Sequence, residues 1–202
     1  MAAQAVNERN PTRPVVISTW RHGVAANDAA WKVLAGGGAA IDAAEAGVRV
    51  SESDPKVQSV GYGGLPDRDG EVTLDACIMN EQGDCGSVAY LKHIENPVSV
   101  ARLVMEKTPH VMLVGDGALK FALANGFEKR KLLTDASRQE WEKWKAGRRD
   151  AVGERQINVE NVDNHDTIGL LALDSRGNLS GACTTSGLAW KMPGRVGDSP
   201  II

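Results

Sequence analysis

The spacing of apolar and polar residues changes several times along the chain, and each change predicts an element. "PVVISTW" (14–20) is a short β-branched run and predicts a first core strand. "AANDAAWKVLAGGG" (25–38) has helical spacing and ends on glycines, with Trp31 and Leu34 three apart on one face. "AAIDAAEAGVRVSESD" (39–54) continues as a second helix, whose small alanines suit close packing on a sheet. A glycine-rich loop, "SVGYGGLPDRDG" (59–70), leads into the strand-like runs "EVTLDACIM" (71–79) and "GSVAYL" (86–91). Asn96-Pro97 then supplies a cap and a first-turn proline for a helix to about Lys107, which stops before Pro109.

"HVMLV" (110–114) fits either a strand or a helix start, and "ALKFALANG" (118–126) is helical up to Asn125-Gly126. Ser137 with Glu140 reads as a capping box, opening a helix that carries Trp141 and Trp144 on one face. From Ala146 to Val162 the period is lost, which predicts an exposed, mobile connector over 147–162. "TIGLLALD" (167–174) and "NLSGACTTS" (178–186) alternate as strands around a hairpin turn at "SRGN" (175–178). Strands, helices, a connector and a final hairpin favour an α+β or layered sandwich over a doubly wound α/β sheet. Residues 1–13 read as a flexible arm ahead of a single domain.

Composition narrows the function classes. A chain of 202 residues with 42% apolar and 24% charged content is ordinary for one globular domain. A formal charge of −3 and no basic stripe argue against nucleic acid. No apolar run nears the roughly 20 residues that cross a bilayer. The N-terminus lacks the apolar core of a secretory signal, so the chain as given is expected in the cytoplasm unless a leader has been removed. Cys77, Cys85 and Cys183 form no CxxC pair. The Cys77–Cys85 spacing leaves room for a disulfide, but three reduced, packed cysteines is the simpler reading. The glycine clusters lack a phosphate-loop frame, and the four histidines lack metal-ligand spacing, so neither a cofactor nor a metal is expected.

The candidate chemistry lies near the end. Asp163, Asn164, His165 and Asp166 crowd against Thr167, the first residue of a predicted core strand. A polar turn explains some of them. Adjacent His165 and Asp166 would point to opposite faces of an extended segment and do not make a dyad. A threonine hydroxyl needs a base. If the Asp166–Thr167 bond were cut, the freed α-amine, with a pKa of ~8, would sit tethered beside that hydroxyl. Downstream, "KMPGRVGDSP" (191–200) sets Arg195 and Asp198 three apart between glycines. Arg offers a fork for a carboxylate and Asp accepts from an ammonium, as an α-amino acid requires. A surface ion pair in a turn fits the same spacing.

Read together, "STW", "DP" at 54–55, "SVGYGGLPDRDGEVTLDACIM", "GSVA", "HIENPVSVAR", "MEKTPHVMLVGDGA", "NHDTIG", "GNLSGACTTSG" and "GRVGDSP" resemble the glycosylasparaginase family of N-terminal nucleophile hydrolases. The resemblance implies a four-layer αββα sandwich, made as a precursor that cuts itself before Thr167. Residues 14–166 would then be the α-subunit-like part and 167–202 the start of the β-subunit-like part. It implies hydrolysis of the amide between asparagine and N-acetylglucosamine, with no cofactor, by a dimer of αβ units. By the same match Thr167 and Thr185 are catalytic, and His165, Asp166 and Thr167 serve the self-cleavage. Trp20, Arg195 and Asp198 bind the small-molecule substrate. Relatives of this kind work in the periplasm or lysosome.

The family continues past "GDSPI", so only 36 residues after the expected cut reads as a chain cut short at its C-terminus. Pro193 and Trp190 depart from the family's usual residues. Two other readings stand: an isoaspartyl peptidase/L-asparaginase with the same nucleophile, and a truncated, inactive fragment acting as an interaction module.

Overall fold

The computed structural model describes residues 13–149 and 167–202. Six strands form one sheet in the order β1-β5-β6-β2-β3-β4: β1 Val15–Ser18, β2 Leu74–Met79, β3 Cys85–Leu91, β4 Met112–Val114, β5 Ile168–Leu173 and β6 Leu179–Thr185. Every pairing is antiparallel except β3 with β4. The helices are α1 Gly23–Ala35, α2 Ala40–Ser53, α3 Pro97–Lys107, α4 Gly115–Ala124 and α5 Asp135–Arg149.

Helices α1 to α4 pack on one face of the sheet. In α2, Ala40, Ala43, Ala44, Gly47, Val48 and Ser51 recur at three- and four-residue steps and are all buried. Gly47 sets how close α1 comes. A Cβ there would lie 3.0 Å from the Ala26 carbonyl and 2.4 Å from Leu170 Cδ1. Ile168, Leu170, Ala76, Ile78 and Val88 fill the same core from the strands. Burying a side chain such as Ile168 or Leu170 stabilises by roughly 1.5–3 kcal/mol.

The opposite sheet face carries Ile17, Leu171, Leu179, Met79 and Met112, all well exposed. One helical layer on one sheet is half of the expected αββα arrangement.

Local details differ from the sequence pattern. Leu34 is buried with Ala26 and Ala30, whereas Trp31 is 47% exposed, so the two do not share the core face. "GDG" at 115–117 is the first turn of α4, which therefore opens three residues ahead of "ALKFALANG", and "HVMLV" contains the short strand β4. The Ser137 capping box is replaced by Thr134, whose hydroxyl accepts the Ser137 N–H at 3.3 Å, so α5 opens at Asp135. Asn96 precedes α3 but makes no side-chain cap. The β5–β6 hairpin forms as expected, organised by Asp174, whose Oδ1 accepts the N–H groups of Arg176 and Asn178.

The three cysteines are free thiols. Cys77 faces Cys183 across β2–β6, while Cys85 faces Met79, so the sequence-adjacent pair is not the closest one in the sheet. The N-terminal arm up to residue 12, most of the 147–162 connector, His165 and Asp166 lie outside the described residues.

Candidate active site

Thr167 is the residue immediately before β5. Its carbonyl accepts two hydrogen bonds from the end of β1, one from Thr19 Oγ1 at 3.0 Å and one from Trp20 Nε1 at 2.9 Å. Thr19 also ties β5 directly, through its N–H to the Gly169 carbonyl and its Oγ1 to the Gly169 N–H, both at 3.0 Å. Trp20 reaches Thr167 with a φ of 63°, a left-handed conformation that costs a bulky residue energy and persists only where the surroundings enforce it. The Thr167 hydroxyl lies 3.3 Å from Ser199 Oγ.

The β5–β6 register pairs Ile168 with Thr184, so its continuation sets Thr167 opposite Thr185. Alternation puts both on the open face, because Ile168 and Thr184 point into the helical layer. Thr185 is buried. Its hydroxyl donates to the Ser59 carbonyl at 3.3 Å and accepts the Gly187 N–H at 2.9 Å. Asp75 is the next residue in this row, paired with Thr185 across β2–β6.

The segment after β6 folds back over this row. Arg195 and Asp198 are exposed, and among the described residues no ion pair joins them. The turn therefore does not consume the pair as a surface salt bridge. Arg195 Nη1 sits close to two glycines: a Cβ on Gly187 would be 3.2 Å from it, and a Cβ on Gly197 3.0 Å. Ser199 is buried beside Thr167, and Ser87 Oγ donates to the Pro200 carbonyl at 2.6 Å.

Lys191 is buried beneath the segment and donates to the carbonyls of Thr73 at 3.1 Å and Ser186 at 2.5 Å. Burial pushes its ammonium down to about 8. Trp190, at φ 60°, stacks on Trp144 of α5 with centroids 5.4 Å apart.

Behind the sheet lies Glu52, fully buried at the end of α2. Its Oε1 accepts Thr184 Oγ1 at 2.8 Å and the Val98 N–H at 3.0 Å, and its Oε2 accepts Asn96 Nδ2 at 3.2 Å. Glu52 thus does for the first turn of α3 what Asn96 does not. Burial raises its carboxyl to about 8, against those hydrogen bonds.

The structure therefore brings together Thr167, Thr185 and Trp20 at one end of the sheet and sets the Arg195–Asp198 turn above them. Sequence reasoning missed Thr19, Asp75, Lys191, Ser199 and Glu52. Thr19 and Asp75 stand inside the runs "STW" and "LDACIM", but nothing local marked their contacts.

Sheet, helical backing and a strand led by a threonine make half of an N-terminal nucleophile hydrolase sandwich. The chain belongs to the asparaginase family, whose model matches residues 3–202. It is 61% identical over 194 residues to an N(4)-(β-N-acetylglucosaminyl)-L-asparaginase of Elizabethkingia miricola, covering 96% of this chain and 55% of that protein. It is 38% identical to the rat protein of the same name, over 97% of this chain and 64% of the relative. An isoaspartyl peptidase/L-asparaginase of mouse is 42% identical, over 90% of this chain and 55% of the relative. The chain thus spans between half and two thirds of the length of these curated relatives. Among the described residues no helix is long and apolar enough to cross a membrane.

Proposed function

We propose that this protein is an amidohydrolase that splits the bond between the side-chain nitrogen of asparagine and N-acetylglucosamine. In this reading it is made as a precursor that cuts itself between Asp166 and Thr167. The observation that carries the reading is Thr167, held at the head of β5 by two hydrogen bonds to its carbonyl and set opposite Thr185. The 61% identity to a relative of that name supports the choice of substrate.

Self-cleavage begins when Thr167 Oγ attacks the Asp166 carbonyl carbon. A C–O ester bond forms, the C–N bond to Thr167 breaks, and the hydroxyl proton ends on the departing nitrogen. Water then hydrolyses the ester, leaving the Asp166 carboxylate and a free Thr167 α-amine. His165 and Asp166 assist this step. Grips on the Thr167 carbonyl from Thr19 and Trp20 keep the nucleophile in place before and after the cut.

In turnover the neutral α-amine takes the Thr167 hydroxyl proton as Oγ attacks the substrate's amide carbon. The proton passes to the leaving glycosylamine, and a β-aspartyl ester remains on Thr167. Water opens that ester to aspartate. Arg195 holds the α-carboxylate and Asp198 the α-ammonium, while Trp20 and Thr185 line the pocket. The mature protein is a dimer of αβ units, and the further length found in relatives covers the exposed apolar sheet face.

The test is N-terminal sequencing and intact mass of the gene product, expressed from its complete reading frame. Two chains are expected, the second beginning at Thr167, with Thr167→Ala uncut and Thr167→Cys able to cleave. An active preparation lacking a chain that starts at Thr167 refutes the mechanism. The second reading, an isoaspartyl peptidase/L-asparaginase, is favoured by the 42% identity to the mouse relative. Aspartate release from glycosylasparagine against release from a β-aspartyl dipeptide separates the two. No activity on either substrate would favour the third reading, an interaction module.

A further inference from the structure

Asp75 has no part in the chemistry above, yet it occupies the row that contains Thr167 and Thr185. It is 1% exposed, and its Oδ1 accepts the Tyr90 N–H at 2.8 Å. That bond bridges an irregularity in the β2–β3 register between Leu74 and Ala76, with Tyr90 at φ 53°. Its other oxygen, Oδ2, is buried and has no hydrogen-bond partner among the described residues. The groups that favour its charged form are the Lys191 ammonium, the Gly197 backbone N–H and the Arg195 guanidinium, with neither cation in ion-pair contact with it among the described residues.

An anion left half-satisfied in the interior is costly unless nearby charge compensates it. Here the compensation comes from two cations. Lys191 is buried and held by the Thr73 and Ser186 carbonyls. Arg195 is the exposed one, and its guanidinium passes close to Gly187 and Gly197, where any Cβ would crowd it.

We propose that Asp75 is a positioning residue for recognition of the substrate's α-carboxylate: fixed to the sheet by Tyr90, it aims the Arg195 guanidinium and the Gly197 turn at that group. The inference rests on the reading of Arg195 as the carboxylate anchor. The carboxylate of Asp75 draws Arg195 down between the two glycines, and leaves the outer edge of the fork to the ligand. Without this anion, Lys191 and Arg195 repel each other, and the turn from 195 to 198 loses its tie to the sheet.

Asp75→Asn keeps an oxygen for Tyr90 and removes the charge. In the gene product expressed from its complete reading frame, self-cleavage should proceed as in the wild type and report an intact fold. KM for glycosylasparagine should rise about tenfold or more while kcat changes by less than about threefold. With a substrate analogue lacking the α-carboxylate, wild type and variant should have equal kcat/KM. In an Arg195→Lys background, Asp75→Asn should add little, because both act on one interaction. Asp75→Glu, which keeps the charge and displaces it by one methylene, should show a loss confined to the carboxylate-bearing substrate.

An equal loss on both substrates, or full additivity with Arg195→Lys, would overturn the role of Asp75 while leaving Arg195 as the anchor. A wild-type enzyme indifferent to the α-carboxylate would overturn both readings together.

Discussion

Glu52 makes the stability of this protein depend on pH in an unusual direction. Its carboxyl is raised from 4.5 to about 8 by burial, so the folded chain keeps a proton that the unfolded chain loses. Between pH 4.5 and 8 the native state binds the extra proton, and stability must fall as pH rises. The slope from one group is about 1.4 kcal/mol per pH unit, which over this window approaches 5 kcal/mol. The full contribution is present below pH 4.5 and is gone above pH 8.

Glu52→Gln removes the titration. Its amide oxygen can still accept from Thr184 and Val98, which share Oε1 in the native protein. Its NH2 meets Asn96 Nδ2, so Asn96 must turn its amide over; the Ser53 hydroxyl can then donate to the amide oxygen, but the bond from Arg49 Nη2 to Asn96 Oδ1 is lost. That costs about 1 kcal/mol. The variant should therefore be equal to or slightly less stable than wild type at pH 5, and several kcal/mol more stable at pH 8.

Other shifted groups fall outside the window or cancel. In Asp174, burial pushes the carboxyl up, but hydrogen bonds from Asn178 and Arg176 outweigh it and hold it at about 2, so its contribution is lost only below pH 3.8. Lys191 falls from 10.5 to about 8, and because the unfolded chain keeps that proton longer, it adds stability with rising pH only above 8. Burial raises Asp75, but equally in both proteins. Urea midpoints followed by tryptophan fluorescence at pH 5, 6, 7 and 8 give both slopes. Parallel slopes for wild type and Glu52→Gln would refute the assignment.

Gly86→Ala should destabilise by about 3 kcal/mol or more, since its Cβ would lie 2.0 Å from the Ala101 carbonyl and force α3 off the sheet; an unfolding free energy from urea titration within about 0.5 kcal/mol of wild type would contradict this packing. Cys77 is pushed up to about 12, chiefly by burial, so at pH 8 its alkylation in the native protein should be at least about a thousandfold slower than in urea. Peptide-resolved mass spectrometry after iodoacetamide treatment measures this directly, and equal rates in both conditions would refute it.

What the sequence determined by itself is local. Helix α2 was legible because small residues at three- and four-residue steps leave one face able to pack. The β5–β6 hairpin was legible because alternation on both sides of a polar turn fixes a register within a few residues. Helix α3 was legible from Asn96-Pro97, yet the cap itself was not, since the acceptor is Glu52, over forty residues away. Glu52 lies in the polar run "SESD", and only the approach of β6 and α3 encloses it there.

The resemblance drew attention to Thr167, Thr185, Trp20, Arg195 and Asp198, but strand order decided which of them meet. β1 and β5 lie about 150 residues apart in the chain, and only their pairing lets Thr19 and Trp20 grip the Thr167 carbonyl. Trp20 does so at a positive φ that no local preference favours. Asp75 and Lys191 are charged residues in an interior that charge ordinarily avoids. Nothing within a few residues of either marks it as buried, because what encloses them is the return of residues 191–200 across the sheet. Short-range periodicity reports which face a residue takes. Burial of a charge depends on long-range neighbours, and those are set when the sheet assembles.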